Sequence, residues 1–159
     1  IHWRDWSSDV CSSDLTQHSF EEDPSVLYVS THQYPYYPGT GAAYETGTGR
    51  GRGATLNCPM PAGATDSAYE RAFFEEILPK LEHFKPECVI ISAGFDAHRD
   101  DPLADVQLST SCFRWMTERL MEVAARHGGG RLLSVLEGGY NLSALARSVT
   151  AHLRVLSGV

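Results

Sequence analysis

The 159-residue chain is predicted to form an α/β fold, a parallel sheet with helices on both faces. Short apolar runs of strand character alternate with longer segments in which apolar residues recur every three or four positions. Strands separated by helices of this length favour right-handed β-α-β crossovers. With 42% hydrophobic residues, the chain can bury a core of its own as one domain.

The first fifteen residues, Ile1–Leu15, differ from the rest of the chain. They contain the near-repeat S-S-D-V and S-S-D-L and show no apolar period of 2 or 3.6. A disordered or loosely helical lead-in is one interpretation. The segment also resembles translated sequencing-adapter DNA, so we expect residues 1–15 to be non-native and residues 16–159 to form the domain.

Four apolar runs predict the strands. Cys88–Ser92 is continuously apolar, which is typical of a strand buried on both faces of a parallel sheet. The other three runs are shorter or weaker, and they are Val26–Ser30, Thr55–Cys58 and Arg131–Leu136.

The first predicted helix lies between the second and third of these strands in chain order. It begins at Asp66 and runs to about His83, with apolar residues recurring every four positions at Tyr69, Phe73, Ile77 and Leu81. Pro79 is expected to kink this helix or to end it early.

Two further helices are predicted from their capping residues. One begins at a Ser109 or Thr110 cap and ends at Gly128–Gly130. The other begins at an Asn141 cap. Its apolar stripe is expected to comprise Leu145, Val149, Leu153 and Leu156.

Charge and cysteine usage exclude several classes of protein. The net charge is −7, and the clustered Lys and Arg residues that bind nucleic acid are missing, so direct nucleic-acid binding is not expected. No apolar run approaches the roughly 20 residues that span a bilayer. The four cysteines form no C-x-x-C pair, which indicates reduced thiols, and no signal-peptide pattern is present. We therefore expect a cytoplasmic protein that does not associate with membranes.

Polar residues follow three of the predicted strands directly. They lie in Ser30–His32, in Ser92–Asp96 and in Glu137–Asn141. In open α/β sheets, ligands bind beyond the carboxyl ends of the strands. These three segments are therefore predicted to converge on one edge of the sheet.

Taken alone, each of these residues also has a purely structural interpretation. An aspartate after a strand, such as Asp96, is most often a turn or capping residue. Gly138 and Gly139 are consistent with a tight strand-to-helix turn in which Tyr140 fills space. His98, two residues after Asp96, is expected to be an exposed loop histidine rather than a metal ligand.

Five motifs, taken together and in order, resemble one known family. They are V-L-Y-V-S-T-H-Q-Y, Y-Y-P-G-T-G, N-C-P-M-P, S-A-G-F-D-A-H-R-D-D-P-L and L-E-G-G-Y-N-L. This order resembles the zinc-dependent histone deacetylase superfamily, and within it the class II type and its bacterial and acetoin-utilisation relatives. The resemblance covers about residues 16–159 and implies the C-terminal part of an arginase–deacetylase fold, truncated at its N-terminus.

The resemblance implies roles for four residues of the last two motifs. Asp96 corresponds to a zinc ligand, and Tyr140 to the phenol that donates a hydrogen bond to the substrate carbonyl. Gly138 and Gly139 would let the backbone approach a narrow substrate channel. Amide hydrolysis needs a Lewis acid and a preorganised donor for the oxyanion, and these residues would contribute to both.

Two further positions correspond to the channel that receives the acyl-lysine. Tyr37 aligns with an aromatic wall of this channel. Leu103 aligns with a rim position at which polyamine-selective members are expected to carry an acidic residue. An apolar Leu103 therefore disfavours a cationic polyamine substrate.

The resemblance also implies two sites for a structural monovalent cation, of which potassium is the expected ion. Ser30 and the carbonyl of Thr31 would contribute to the first site. Phe20, Asp23 and Val26 would contribute to the second site, mostly through backbone carbonyls.

The chain departs from the family in the segment before Thr16-Gln17. The family has D-x-H-H-G-N-G-T-Q there, and only Thr16-Gln17 of that segment is present. Two of the three zinc ligands and the paired catalytic histidines therefore have no counterpart. We expect the 159-residue chain by itself to be inactive and to bind Zn²⁺ weakly.

The predicted function belongs to the parent enzyme, which would use Zn²⁺ to hydrolyse N-acetyl-lysine or a related acyl amide. Its substrate would be an acetylated protein or a small acyl-amine. One alternative is a polyamine or small-molecule amide deacetylase, and another is a non-catalytic module that binds acyl-lysine. The sequence determines neither the acyl group nor the oligomeric state.

Overall fold

The computed structural model describes residues 2–3, 11–36 and 39–158, with side chains from Leu15 onward within these ranges. Five strands of the described part are β1 (His2–Trp3), β2 (Tyr28–Gln33), β3 (Thr55–Met60), β4 (Val89–Ala93) and β5 (Leu132–Leu136). They form one sheet in the order β3-β2-β1-β4-β5. Every pairing is parallel, as the sequence predicts.

The described helices are α1 (Cys11–Phe20), α2 (Asp66–Ala72), α3 (Leu78–Phe84), α4 (Thr110–His127) and α5 (Leu142–Ser157). A π-helical segment, Phe73–Ile77, joins α2 to α3, and a 3-10 turn covers Gly49–Gly51. None of these described helices is long and apolar enough to cross a membrane.

The strands begin and end close to the predicted positions, except for the first predicted strand. Instead of Val26–Ser30, β2 covers Tyr28–Gln33, because all six of its residues pair with β3. The short strand β1 lies between β2 and β4, and its His2 is opposite both Ser30 and Ser92. The described parts of residues 1–15 thus include a strand and the start of α1, while their non-native origin stays a prediction.

The prediction that Pro79 ends the helix early is wrong, because helical backbone continues to Phe84, while a kink at Pro79 stays a prediction. The backbone N–H of Leu78 bonds to the carbonyl of Phe73, five residues back, which is the π-helical spacing. Pro79 then lies in the first turn of α3. A proline is tolerated in the first turn of a helix because the N–H it lacks has no obligatory partner there.

The predicted caps of the last two helices are confirmed. Ser109 accepts a hydrogen bond from the N–H of Cys112, and Asn141 accepts one from Ala144. Of the predicted apolar stripe of α5, Leu145 and Val149 are partly buried and pack against the core, whereas Leu153 is exposed. The fully buried residues of α5 are Ala144, Ser148 and His152.

The two faces of the sheet differ in how they are covered. One face packs against α2, α3, α4 and α5 in a cluster that includes Ile91, Phe113 and Leu120. On strand β4 the neighbouring Ile90 is 54% exposed, whereas Ile91 is fully buried. The expectation that this strand is buried on both faces is therefore wrong for the described residues.

Helix α1 reaches the less covered side of the sheet. Its Thr16 and Phe20 share a groove of about 370 Å³ with Ile90 and Ser92 of β4. Leu133 and Val135 of β5, which pair with Ile90 and Ser92, are exposed beside it. We call Ile90, Leu133 and Val135 the open face of the sheet.

Candidate functional site

The segments that follow β4 and β5 lie side by side. Beyond the last strand pair, the N–H of Glu137 donates to the carbonyl of Ala93 at 3.0 Å. The N–H of Phe95 then donates to the carbonyl of Gly138 at 2.8 Å. These two bonds place S-A-G-F-D next to E-G-G-Y-N, so the predicted convergence of these two segments is confirmed.

The carboxylate of Asp96 is fully buried against Gly138. A Cβ atom on Gly138 would lie 2.8 Å from Oδ2 and 3.0 Å from Oδ1 of Asp96. Gly139 has a φ of +138°, and a Cβ there would lie 2.8 Å from Cδ1 of Leu145. Any side chain at Gly138 would therefore displace the aspartate, which explains the need for glycine at this position.

Tyr140 follows this glycine pair and is 38% exposed. Its backbone N–H donates to Oδ2 of Asp101 at 2.7 Å. The position of Tyr140 is thus set by the Gly138–Gly139 turn on one side and by the Asp101 carboxylate on the other. Its predicted contact with a substrate carbonyl stays a prediction.

Asp101 is the functional candidate that residue-by-residue reasoning missed. Its side chain is 8% exposed, and Oδ2 also accepts from the N–H of Asn141 at 3.2 Å. The other oxygen, Oδ1, accepts from the N–H of Leu103 at 3.1 Å. The only sequence signal was its place within the D-D-P-L motif.

The expectation that His98 is an exposed loop histidine is wrong, because it is buried. Its Nδ1 accepts from the N–H of Asp100 at 3.0 Å, so Nε2 carries the proton that faces Oγ1 of Thr110 at 3.2 Å. The ring stacks on Phe113 with an interplanar angle of 8°. Burial, the largest effect, lowers the pKa of His98 despite the nearby Asp100.

The predicted segment Ser30–His32 lies within β2 and not beyond it, so the expectation that it follows the strand is wrong. The residues from the end of β2 that contact the loop after β4 are Gln33 and Tyr36. The hydroxyl of Tyr36 donates to the carbonyl of Leu103 at 3.3 Å. Oε1 of Gln33 accepts from the N–H of Asp105 at 3.1 Å. The neighbouring Tyr37, predicted to line the channel, lies outside the described residues.

Ser30 and Thr31, predicted at a monovalent-cation site, are buried in β2. Nε2 of His32 lies 2.9 Å from the carbonyl of Gly41, an acceptor, so Nε2 is the donor in the neutral ring. Nδ1 of His32 therefore accepts from the Ser30 hydroxyl at 2.9 Å. The Ser30 oxygen donates its hydrogen in this bond, so its lone pairs are not used by it. Cation binding by Ser30 stays a prediction.

Phe20, Asp23 and Val26, predicted at the second cation site, lie in one turn after α1. The N–H of Asp23 donates to the carbonyl of Phe20 at 3.0 Å, and that of Val26 to the carbonyl of Asp23 at 3.4 Å. Oδ1 of Asp23 accepts from both the hydroxyl and the N–H of Ser25, and these bonds lower the pKa of Asp23. The structure brings the three residues together, while cation binding by them stays a prediction.

A half-buried carboxylate that the sequence reasoning also missed, Glu45, organises the glycine-rich loop after β2. Glu45 accepts from the N–H groups of Gly41 and Ala42 and, at 2.7 Å, from the side-chain amide of Gln17. Burial raises the pKa of Glu45, but these bonds outweigh it and leave the pKa below its usual value. Gln17 also accepts from Asn57 at 3.1 Å, so the retained Thr16-Gln17 pair anchors this loop to β3.

The side chains around Asp96 limit which metal site the described residues can form. Asp96 offers a buried carboxylate, a type of ligand that zinc accepts. Among the described residues, no group of three or more His, Cys, Asp or Glu side chains lies together as a metal site. The described residues thus fit one ligand position and do not form a complete zinc site.

The order of parallel strands, with polar residues gathered at their carboxyl ends, defines a class of fold that solved structures share. The crystal structure of the HDA15 HD domain superimposes with a TM-score of 0.86 at 41% sequence identity. The match covers 99% of this chain and 43% of that chain. The chain therefore has part of the arginase–deacetylase fold.

Sequence comparison assigns the family. The histone deacetylase domain model matches residues 5–156, and the chain belongs to the histone deacetylase family. Histone deacetylase 10, chloroplastic, of Oryza sativa is 46% identical over 150 residues, and Polyamine deacetylase HDAC10 of Danio rerio is 40% identical over 160. These matches cover 94% and 97% of this chain, and 34% and 23% of the relatives, so the chain spans about a third or less of their length.

Proposed function

We propose that the parent protein is a zinc-dependent deacetylase that hydrolyses N-acetyl-lysine or a related acyl amide. The observation that supports this most directly is the buried Asp96 carboxylate packed against Gly138, two residues before Tyr140. Membership of the histone deacetylase family supports the same reaction class. The substrate would be an acetylated protein or a small acyl-amine.

Asp96 and Tyr140 would have separate roles in this reaction. Asp96 would supply one carboxylate ligand for Zn²⁺, and the other ligands would come from outside the described residues. When bound, the metal would polarise the amide carbonyl and lower the pKa of a water molecule. Tyr140 would donate its phenolic proton in a hydrogen bond to the carbonyl oxygen as negative charge develops there. A donor of this kind commonly contributes about 2.7–4 kcal/mol to transition-state stabilisation.

The apolar side chain of Leu103 favours a substrate with a neutral stem, such as acyl-lysine or another acyl-amine, over a cationic polyamine substrate. Both backbone groups of Leu103 form hydrogen bonds, with Asp101 and with Tyr36, which would hold Leu103 in place at the proposed rim. An apolar side chain there offers no countercharge to a cationic polyamine. Polyamine deacetylation, the activity in the printed name of the Danio rerio relative, is therefore the second candidate.

The test uses a complete domain. It is made by replacing the matching segment of the Oryza sativa relative with residues 16–159 of this chain. Tyr140→Phe is expected to lower kcat about 10²–10³-fold with unchanged zinc content, because only the oxyanion donor is lost. Asp96→Asn is expected to lower both zinc content and kcat, because a charged oxygen ligand becomes neutral. Turnover of an acetyl-lysine peptide and elemental analysis measure these effects.

Asp100→Asn is the matched control, since Asp100 is half-exposed and pairs with Arg147 on the surface. It should leave both readouts unchanged. A Tyr140→Phe domain that keeps more than about half of the wild-type kcat would remove Tyr140 from the mechanism. Full zinc content in Asp96→Asn after dialysis against a mild chelator would contradict the ligand assignment. Zinc-independent binding of acetyl-lysine without turnover would instead identify an acyl-lysine-binding module.

A further inference from the structure

The carboxylate of Asp101 joins two loops that are far apart in the sequence. Its Oδ2 accepts from the N–H groups of Tyr140 and Asn141, which lie 39 and 40 residues further along the chain. Its Oδ1 accepts from the N–H of Leu103 within its own loop. Both oxygens of one buried side chain are thus committed to backbone groups on either side of the predicted channel rim.

These bonds act on the backbone that carries Tyr140 rather than on its ring. The Gly138–Gly139 turn before Tyr140 has no side chain that could hold it, and Gly139 adopts a positive φ. A carboxylate that accepts from two consecutive N–H groups fixes the direction in which the chain leaves this turn. Charge-assisted hydrogen bonds of this kind are stronger than bonds between neutral groups.

The neighbouring Asp100 has a different role, which makes the role of Asp101 separable. Asp100 is half-exposed, and its side chain pairs with Arg147 of α5 at 2.7 Å. Its backbone carbonyl, which a side-chain substitution leaves in place, accepts from the Asn141 side chain at 2.9 Å. The two successive aspartates therefore have separate roles. Asp100 forms a surface ion pair, and Asp101 accepts hydrogen bonds from the backbone of Leu103, Tyr140 and Asn141. We call these three bonds of Asp101 the clamp.

The clamp also includes the rim position. The N–H of Leu103 is held by Asp101, and the carbonyl of Leu103 accepts from the Tyr36 hydroxyl. A movement of the Asp101 carboxylate would therefore displace Leu103 and Tyr140 together. Asp101 thus links Leu103, which is expected to select among substrates, to Tyr140, which is expected to donate a hydrogen bond to the substrate carbonyl.

We infer that Asp101 is a positioning residue. It holds the backbone of Tyr140 and of Leu103, the expected rim residue, in a fixed position relative to Asp96. This inference rests on the proposed deacetylase function for its catalytic consequence. Its structural content, the clamp on the Tyr140 backbone, is independent of activity. The experiment therefore has two arms, one for each.

The first arm uses the full 159-residue chain and compares Asp101→Asn with Asp100→Asn. In Asp101→Asn, amide hydrogen exchange at Tyr140 and Asn141 should be at least about tenfold faster than in the wild-type chain, because the opened loop exposes both groups. Asp100→Asn and the amides of α4 should show wild-type rates. Wild-type exchange rates at Tyr140 in Asp101→Asn would overturn the clamp.

The second arm measures kinetics in the complete domain. Asp101→Asn should lower kcat about 10–100-fold while KM stays within about threefold and zinc content is unchanged, because the oxyanion donor is misplaced rather than removed. In a Tyr140→Phe background, Asp101→Asn should cost less than about twofold, since positioning matters only while the phenol is present.

Independent, additive losses in this double-mutant cycle would show that Asp101 acts only as a fold element and would overturn the inference. Asp101→Glu keeps the charge but moves it by one methylene, and it replaces Asp101→Asn if that variant does not fold. Wild-type kcat and wild-type amide exchange in Asp101→Glu would likewise overturn the inference. An inactive wild-type complete domain would contradict the proposed function, and the exchange arm would then decide the clamp by itself.

Discussion

The loop that follows β4 buries carboxylates, whereas strands β4 and β5 expose apolar side chains on their open face. In this loop, Asp96 is fully buried and Asp101 nearly so. On the open face, Ile90 and Leu133 are each 54% exposed. This is the reverse of the usual distribution, in which carboxylates are exposed and isoleucine and leucine are buried.

These two regions differ in how far the described residues cover their side chains. Asp101 in the loop after β4 finds its hydrogen-bond partners within the chain itself. Parallel sheets are normally covered on both faces, and contiguous exposed apolar side chains mark contact with other polypeptide. The comparison therefore separates the loops held together by Asp101, whose hydrogen bonds form within the chain, from a surface that is expected to be covered.

The largest expected effect comes from comparing adjacent isoleucines on β4. Ile91→Ala should lower the free energy of unfolding by about 2–5 kcal/mol, because Ile91 is fully buried in the core. Ile90→Ala, its matched control on the open face, should cost less than about 1 kcal/mol. Urea unfolding of both variants measures the two values. Equal losses would show that Ile90 is covered in solution and would break the comparison.

An intermediate effect is expected from pH, through the buried His152. Its ring contacts the hydroxyls of Thr117 and Ser134, both at 2.8 Å, and lies edge-on to Phe95 beside Asp96. Burial lowers the pKa of His152, so between that pKa and about 6.5 the unfolded chain binds the additional proton. His152 should therefore contribute full stability above about pH 6.5 and lose it as the pH falls further.

Unfolding midpoints measured between pH 8 and pH 5, in the wild-type chain and in His152→Gln, test this prediction. Buried His98 contributes a pH dependence of the same sign, so the difference between the two proteins isolates His152. A difference that does not change with pH would show that His152 titrates equally in the folded and unfolded chains.

The smallest expected effect on stability comes from the open face. Leu133→Thr with Val135→Thr should change the free energy of unfolding by about 0.5 kcal/mol or less per site, since both side chains are exposed. The same pair should reduce self-association, measured by sedimentation velocity, because less apolar surface is exposed. Leu142→Thr, at an exposed leucine of α5, is the control and should leave self-association unchanged. Unchanged self-association in the paired variant would remove the open face as a contact surface.

Much of the fold could be predicted because its signals are local. Ser109 and Asn141 begin their helices by accepting an N–H three residues further on, so both caps depend on neighbouring residues alone. The order of strands and helices follows from apolar periodicity in the same way. Pro79 was wrongly expected to end the helix early, because the π-helical segment through which the helix continues has no comparable signature in the sequence.

The candidate site also combines features with local sequence signals and features that depend on tertiary contacts. Strand patterns and motifs are enough to predict that polar segments follow β4 and β5 and that the chain belongs to the histone deacetylase family. The burial of His98, the exposure of Ile90 and the bond between Asp101 and the Tyr140 backbone emerge only when the elements pack together. The physical reason is that burial and long-range hydrogen bonds depend on which elements pack together, and a carboxylate carries no sequence mark of a partner 39 residues away.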